Sequence, residues 1–269
     1  MAVFRRRRPA VRSVAAAMGC AAAALAADPV AHWTFDEPSG AVCRDASGHG
    51  FDATFANPAS GAGRITGLFG GALQLQGGHR LACGRAPDVA AFRQITVSAW
   101  TQPRAFDRYN EILRKEDGDR RILFSFQENG RVLSLGLNVG GYVECDAKLD
   151  PARVLDGEWH HCAATFDGRA MRVFLDGAEI GRLERPGVIA AGGGAAMVIA
   201  SSEGHECFQG GLDDLRLYDT ALGPQDIADL HAAGLAVLLR ARAGAAQALE
   251  TIWTDAATFA ETLAAARRT

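Results

Sequence analysis

From about Val30 to Tyr218, apolar and polar residues alternate in short runs separated by turn residues. "AHWTFDE" sets Trp33 and Phe35 on one face, and "QITVSAW" does the same with Ile95, Val97 and Ala99. "ALQLQG" and "HRLACG" keep the same period of two, the signature of strands with one buried face. "NEILRKE" passes through "DGD" into "RRILFSFQ", a hairpin signal, and "ENG" turns into "RVLSLGLN" with Val132, Leu133, Leu135 and Leu137. "EWHHCAATF" turns at "DGR" into "MRVFLDG", where Asp176-Gly177 suits a turn with positive φ. "AMVIAS" follows the loop tract Ala190 to Ala196, and "GGLDDLRLYDTALGPQDI" closes the series. Strands at this spacing, without intervening helices, predict an all-β sandwich or barrel and argue against a doubly wound α/β sheet.

The pattern changes at Gly223. "GPQDIADLHAAG" predicts a short closing helix, with Pro224 early, Gln225 and Asp226 at its positive end and Gly234 as its stop. The Ala/Leu-rich remainder, Leu235 to Thr269, predicts one or two amphipathic helices. Its apolar positions are Leu235, Leu238, Leu239, Leu249, Ile252, Trp253, Phe259 and Leu263.

The first residues follow a different logic. "MAVFRRRRPAVRS" is a basic segment and "VAAAMGCAAAALAA" an apolar one, with Ala24-Leu25-Ala26 as an A-x-A cleavage site. Residues 1–26 therefore read as a secretory signal, residues 27–234 as the domain and residues 235–269 as a helical tail. Secretion, or a periplasmic or cell-surface location, is expected, with lipid anchoring through Cys20 as the alternative. No other run is apolar and long enough to predict a transmembrane segment.

Loss of the signal removes five arginines and no acid, taking the formal net charge from −3 to −8. An acidic chain lacks the basic patch that nucleic acid requires. Five cysteines stay in the mature chain: Cys43, Cys83, Cys145, Cys162 and Cys207. Outside the cytosol they are disulfide candidates, an odd set that permits at most two bridges and leaves the pairing open. No C-x-x-C is present, and no His pair is spaced for a zinc finger.

The ordered motifs "AHWTFDEPSG", "DASGHGFDATFAN", "GGALQLQGGHRLACG", "ITVSAWTQP", "LDGEWHHCAATFDGRAMRVFLDGAEIG" and "FQGGLDDLRLYDTALGPQDI" resemble the laminin-G-like (LamG-like) jelly-roll family of the concanavalin A-like lectin/glucanase superfamily. The resemblance spans about Val30 to Gly234. It implies a jelly-roll β-sandwich of two antiparallel sheets with a short closing helix, Trp100 in the core and Trp159 able to enter it. It also implies a structural calcium at Asp213, the first acid of the last-strand pattern, with Asp36 and Asp45 as partners. Calcium requires six or more oxygens, so backbone carbonyls would complete the set.

Enzymatic chemistry finds little footing. The E-x-D-x-E strand of the related glucanases is missing, as are G-x-S-x-G and H-E-x-x-H. Glu116, Asp117 and Asp119 read as a solvated hairpin tip. His160 and His161 are strand neighbours on opposite faces, and so are Asp213 and Asp214, which leaves Asp214 exposed. Carbohydrate contacts are expected from Tyr109, Asn110, Asn138 and Tyr142. The expected function is a non-catalytic binding module for a polysaccharide, a glycoconjugate or an extracellular protein. The alternatives are a glycoside hydrolase or lyase with an atypical site, and an assembly module that self-associates through its tail.

Overall fold

The computed structural model describes residues 27–56, 63–190, 193–202 and 205–266, with side chains as far as residue 248. The signal segment 1–26 with Cys20, and the side chains of Leu249, Ile252, Trp253, Phe259 and Leu263, lie outside the described residues. In chain order the strands are β1 (Ala31–Trp33), β2 (Val42–Cys43), β3 (Ala53–Phe55), β4 (Gly63–Thr66), β5 (Gly71–Leu75), β6 (Leu81–Cys83), β7 (Ile95–Ala105) and β8 (Tyr109–Asp117). They continue as β9 (Arg120–Gln127), β10 (Val132–Asn138), β11 (Tyr142–Lys148), β12 (His160–Phe166), β13 (Ala170–Leu175), β14 (Ala178–Glu184), β15 (Met197–Ile199) and β16 (Gln209–Tyr218). Helix α1 (Pro224–Ala266) follows.

Two antiparallel sheets form the expected sandwich. Sheet A has the order β14-β13-β12-β7-β16-β5-β4, with β1 also on β16, and sheet B has the order β11-β10-β9-β8-β15-β6-β3-β2. The period-two residues meet between the sheets: Trp33, Phe35, Ile95, Val97, Ala99, Phe124, Phe126, Leu133, Leu135, Leu137 and Phe166 are all buried in one cluster. The "ENG" turn places Glu128, Asn129 and Gly130 at positive φ, and Asp176 and Gly177 take positive φ between β13 and β14, as their hairpin requires.

Trp100 is buried as expected, but not between the sheets. With Ile95, Val97 and Ala99 facing inwards, period two turns it outwards from sheet A. It is nevertheless 2 % exposed, because α1 covers it. Ile227 and Leu230 of α1 pack on Ala163, Phe174, Tyr218 and Leu222, and His231 stacks on Trp100 at 5.8 Å between centroids. Trp159 is half-buried, and a side chain on Gly211 would press on its ring. Gly234 does not end the helix. It lies inside α1, where any side chain would collide with Trp100, so its role is close approach rather than termination. Beyond residue 240 the described helix side chains are exposed, and Arg242 reaches back to Glu158. Removal of residues from Leu235 onward is expected to change sandwich stability by less than about 1 kcal/mol, since so little packing is lost. Urea unfolding of the shortened chain checks this.

The disulfide expectation is corrected. Cys43, Cys83, Cys145, Cys162 and Cys207 are all free, buried thiols. Cys43 and Cys83 flank Ala53 on either side of β3. That puts them two strand spacings apart, about 10 Å, beyond the roughly 7 Å a disulfide can span. Cys145 Sγ contacts the Met171 carbonyl, Cys162 the Thr101 hydroxyl and Cys207 the Ser201 hydroxyl. Burial pushes the Cys83 and Cys162 thiols up to about 12 and the Cys43 and Cys145 thiols up to about 11. Such thiols are poor nucleophiles.

The glycine pair that opens β16 is a packing requirement. Gly210 has φ +145°, and a Cβ there would collide with the Gln102 carbonyl on β7. Gly210→Ala is expected to cost about 2 kcal/mol, because strain adds to the displacement of β7 backbone. The midpoint of urea unfolding measures it.

Candidate functional site

Asp213 and Asp214 occupy a β-bulge. Asp213 pairs with Trp100 and Arg216 with Ser98, so β16 spends one residue more than β7 between those points. The extra residue is Asp214, at φ +51°. Leu212 and Leu215 both reach the core, so both aspartates lie on the outward side of sheet A. Asp214 is therefore not exposed: its carboxylate binds His32 Nε2 at 2.6 Å and Arg216 at 3.0 Å. Burial opposes its charge, but His32 and Arg216 hold the carboxyl below its ordinary value.

Asp213 is fully buried. Its Oδ2 accepts the Leu68 N–H at 2.7 Å and the Phe69 N–H at 3.1 Å, while Oδ1 has no partner. Asp36 grips the same turn through the Gly71 N–H at 2.6 Å. Asp45 belongs to a separate turn, where it accepts from the His32, Ser47 and Phe51 amides and from the Ser47 hydroxyl. The three carboxylates implied as calcium ligands thus do not converge. Asp36 and Asp213 each spend an oxygen on amide donors, whose positive ends repel a cation. Among the described residues no three His, Cys, Asp or Glu side chains are placed to hold a metal. As a group of side chains these three acids do not form a calcium site, although Asp213 Oδ1 stands without a partner.

His160 and His161 separate as their strand requires. His160 binds Asp176 at 2.9 Å and Asp156 at 3.1 Å; burial opposes its charge, yet these carboxylates raise its pKa. His161 is fully buried next to Trp100, its Nδ1 has no partner, and burial pushes its pKa down to about 3. His161 supports the α1-covered layer of sheet A, whereas His160 ties β12 to Asp156 and Asp176.

The outward side of sheet B is chemically richer. Ser125, Ser134 and Gly136 form its floor, overlaid by longer polar side chains. Tyr142 lies across Gly136, where an added Cβ would strike its hydroxyl; the hydroxyl donates to Glu144. The Arg121 guanidinium sits 4.2 Å from the Tyr142 ring centroid. Arg121 thus occupies one ring face and the hydroxyl end is held over Gly136, which limits Tyr142 as a sugar platform. Asn138 is tied to its own hairpin, donating to the Asp119 carbonyl and accepting the Gly141 N–H.

Tyr109 and Asn110 stand at the other end of the sheet. Tyr109 pairs with Gln127 in the β8–β9 ladder, whereas Asn138 and Tyr142 close the far hairpin. Asn110 is fully buried and braces the turn at Asp107 through two hydrogen bonds. Tyr109 sits half-buried under the Arg108 guanidinium. The four expected ligand contacts do not assemble into one site.

What does assemble is a cluster on β8. A bulge at Ile112 sends Ile112 and Leu113 both into the core and leaves Glu111 and Arg114 on the same outward side. Arg114 NH1 donates to Glu111 Oε1 and Glu206 Oε2, each at 2.9 Å, and its NH2 binds Glu116. Glu116 also holds Arg121 at 2.9 Å. This corrects the solvated-tip expectation for Glu116, although Asp117 and Asp119 are exposed as expected. Glu111 is buried and its Oε2 has no partner. Burial pushes its carboxyl up to about 8, Arg114 offsetting only part of that cost. Beside the cluster lies a depression of about 190 Å³, lined by Arg114, Glu116, Ala196, Val198, Ser201 and Ser202. In sequence, "NEILRKE" held these residues, but a spacing of three in an unbroken strand puts Glu111 and Arg114 on opposite faces.

A family model described as the concanavalin A-like lectin/glucanases superfamily (Laminin_G_3) matches residues 76–228, more than half of the chain. Among solved structures, domain 4 of an extracellular arabinanase from Geobacillus stearothermophilus, in complex with arabinotriose, is similar with a TM-score of 0.62 and 21 % identity. The match covers 76 % of this chain and 98 % of that one. The binding domain of Paraclostridial Mosquitocidal Protein 1 matches at TM-score 0.60 and 13 % identity, over 76 % of this chain and 52 % of that one. The binding domain of Botulinum neurotoxin DC in complex with SialylT matches at 0.55 and 11 %, over 77 % and 51 %. The chain thus spans about half of each toxin domain. At these identities the likeness establishes the fold. Among the described residues no helix is long and apolar enough to cross a membrane.

Proposed function

Because the chain belongs to the concanavalin A-like lectin/glucanases superfamily, we propose that its sandwich is a non-catalytic carbohydrate-binding module that takes its ligand on the outward side of sheet B. One observation carries this reading. The outward side of sheet A lies beneath the first turns of α1, whereas that of sheet B presents a polar depression lined by the Glu116 carboxylate, the Arg114 guanidinium and the Ser201 and Ser202 hydroxyls. Such convergent polar groups around a concavity are how sugar hydroxyls are held. The similar structures include domains described with arabinotriose and with SialylT, which supports a glycan as the ligand class.

Binding is favoured over hydrolysis by the position of Arg114. A glycosidase needs free space between two carboxyls for the scissile bond. Here NH1 of Arg114 stands between Glu111 and Glu206, within 2.9 Å of both, and fills that space.

A glycan array of the purified chain tests the reading, and one or more oligosaccharides should be retained. Ser202→Trp, which fills the depression from its rim, should weaken that binding at least about tenfold by steric exclusion. A blank array, or unchanged binding by the tryptophan variant, would overturn the module or its location.

A further inference from the structure

Helix α1 runs on past the sandwich to Ala266. At 1.5 Å per residue, about 39 Å of it lies beyond residue 240. The side chains of residues 241–248 are exposed on every side of the helix, so the sandwich does not cover this stretch. Arg242 reaches Glu158 there, but both groups are at least half exposed, which makes the ion pair a weak tie. Leu235 and Leu239, one turn apart, are 41 % and 57 % exposed. In sequence they open a repeat. Leu235, Leu238, Leu249, Ile252, Phe259 and Leu263 fall in one series of alternating three- and four-residue steps, whose other members are Arg242, Ala245 and Ala256. A period of 3.5 kept over this length is the pattern of helices that wrap around one another.

We propose that the free part of α1 pairs with the same helix of a second copy of this chain, running antiparallel to it. Charge selects both the occupant and the direction. Residues 235–248 carry Arg240 and Arg242 and no acid, whereas residues 249–266 carry Glu250, Asp255 and Glu261 and no lysine or arginine. An antiparallel second copy sets the basic half of each helix beside the acidic half of the other. A parallel copy would set like halves together and face Arg242 with its own equivalent across the seam. The area is sufficient as well. Six large seam side chains from each copy, at roughly 100 Å² of apolar surface apiece, give about 1,200 Å², where specific interfaces begin. Such a contact is isologous and closes at two copies. It uses the helix that covers sheet A and leaves sheet B of each sandwich outside the contact. Two ligand faces on one particle would bind a repeating polymer with gained avidity. Pairing itself does not depend on the ligand.

Sedimentation of the full chain at micromolar concentration tests the pairing and should give twice the mass of one chain. Leu249→Glu combined with Ile252→Glu should give a monomer. Its sandwich should melt at the parent's temperature, because the contacts of α1 with sheet A lie in its first turns. Direction is read by a spin label attached to Ala243→Cys, the native thiols being buried. Antiparallel copies should hold the two labels more than about 20 Å apart, from their offset along the helix axis. Parallel copies would bring them to roughly the 10 Å between packed helix axes. A monomeric parent, a trimeric or larger mass, a dimer that survives the double substitution, or labels at the short distance would each overturn the proposal.

Discussion

Asp213→Ala should lower the stability of the domain by about 3 kcal/mol, because two buried amide donors lose their acceptor at once. Those donors are the Leu68 and Phe69 N–H groups of the turn that leads into β5. The turn is tightly built: a Cβ on Gly67 would lie 2.5 Å from both Asp213 Oδ2 and the Gly71 carbonyl, so it has little room to find other partners. Asp213→Asn separates the hydrogen bonds from the charge. Its amide oxygen can still accept both N–H groups, and it never ionises. Burial, reinforced by the Asp214 charge, pushes the Asp213 carboxyl up to about 7 against the Phe69, Leu68 and Asp214 amides that lower it. Its folded form holds a proton that the unfolded chain gives up near pH 4, so this contribution fades as pH rises from about 4 to 7. Asp213→Asn should therefore match the parent near pH 4 and exceed it at pH 8. Urea unfolding at both pH values, with and without a calcium chelator, reads the outcome. A parent destabilised by the chelator and an alanine variant insensitive to it would show that the carboxylate serves a metal rather than the turn.

The sandwich was legible because its strands keep a strict period of two. Trp33, Phe35, Leu133 and Leu135 are buried where alternation puts them. What alternation could not supply lies at the bulges. One extra residue at Asp214 puts two aspartates on one side of sheet A, and one at Ile112 does the same for Glu111 and Arg114 on sheet B. A bulge leaves almost no trace in the apolar pattern, since "DDL" and "EIL" read equally well in either phase. Trp100 and Gly234 were opaque for a different reason. Their roles depend on α1 lying over sheet A, a contact between residues far apart in sequence. The β8 cluster combines both difficulties, a local bulge and a partner, Glu206, ninety-two residues from Arg114.

Glu111 gives the steepest expected dependence of stability on pH. Its carboxyl is pushed by burial from an ordinary value of 4.5 up to about 8. Between those values the folded chain binds a proton that the unfolded chain has lost, so stability must fall as pH rises through the window. At roughly 1.4 kcal/mol per tenfold change the full displacement bounds the effect near 5 kcal/mol. Local relaxation and water entry should bring it to about 2–3 kcal/mol. His161 acts in the opposite sense. Burial holds it neutral down to about pH 3, so its contribution is lost as pH falls below its ordinary 6.5. The two together place the stability maximum at mildly acidic pH. Glu111→Gln should keep the acceptor facing Arg114, remove the ionisation and make the alkaline limb shallower, leaving the share that Asp213 contributes up to about pH 7. Relative to the parent it should gain about 2 kcal/mol at pH 9 and nothing at pH 4.5, the acid limb remaining with His161. Thermal unfolding of both proteins across pH 4 to 9 decides the matter. A parallel offset at every pH would mean that Glu111 contributes packing rather than a buried charge, and that the cluster around Arg114 is already balanced.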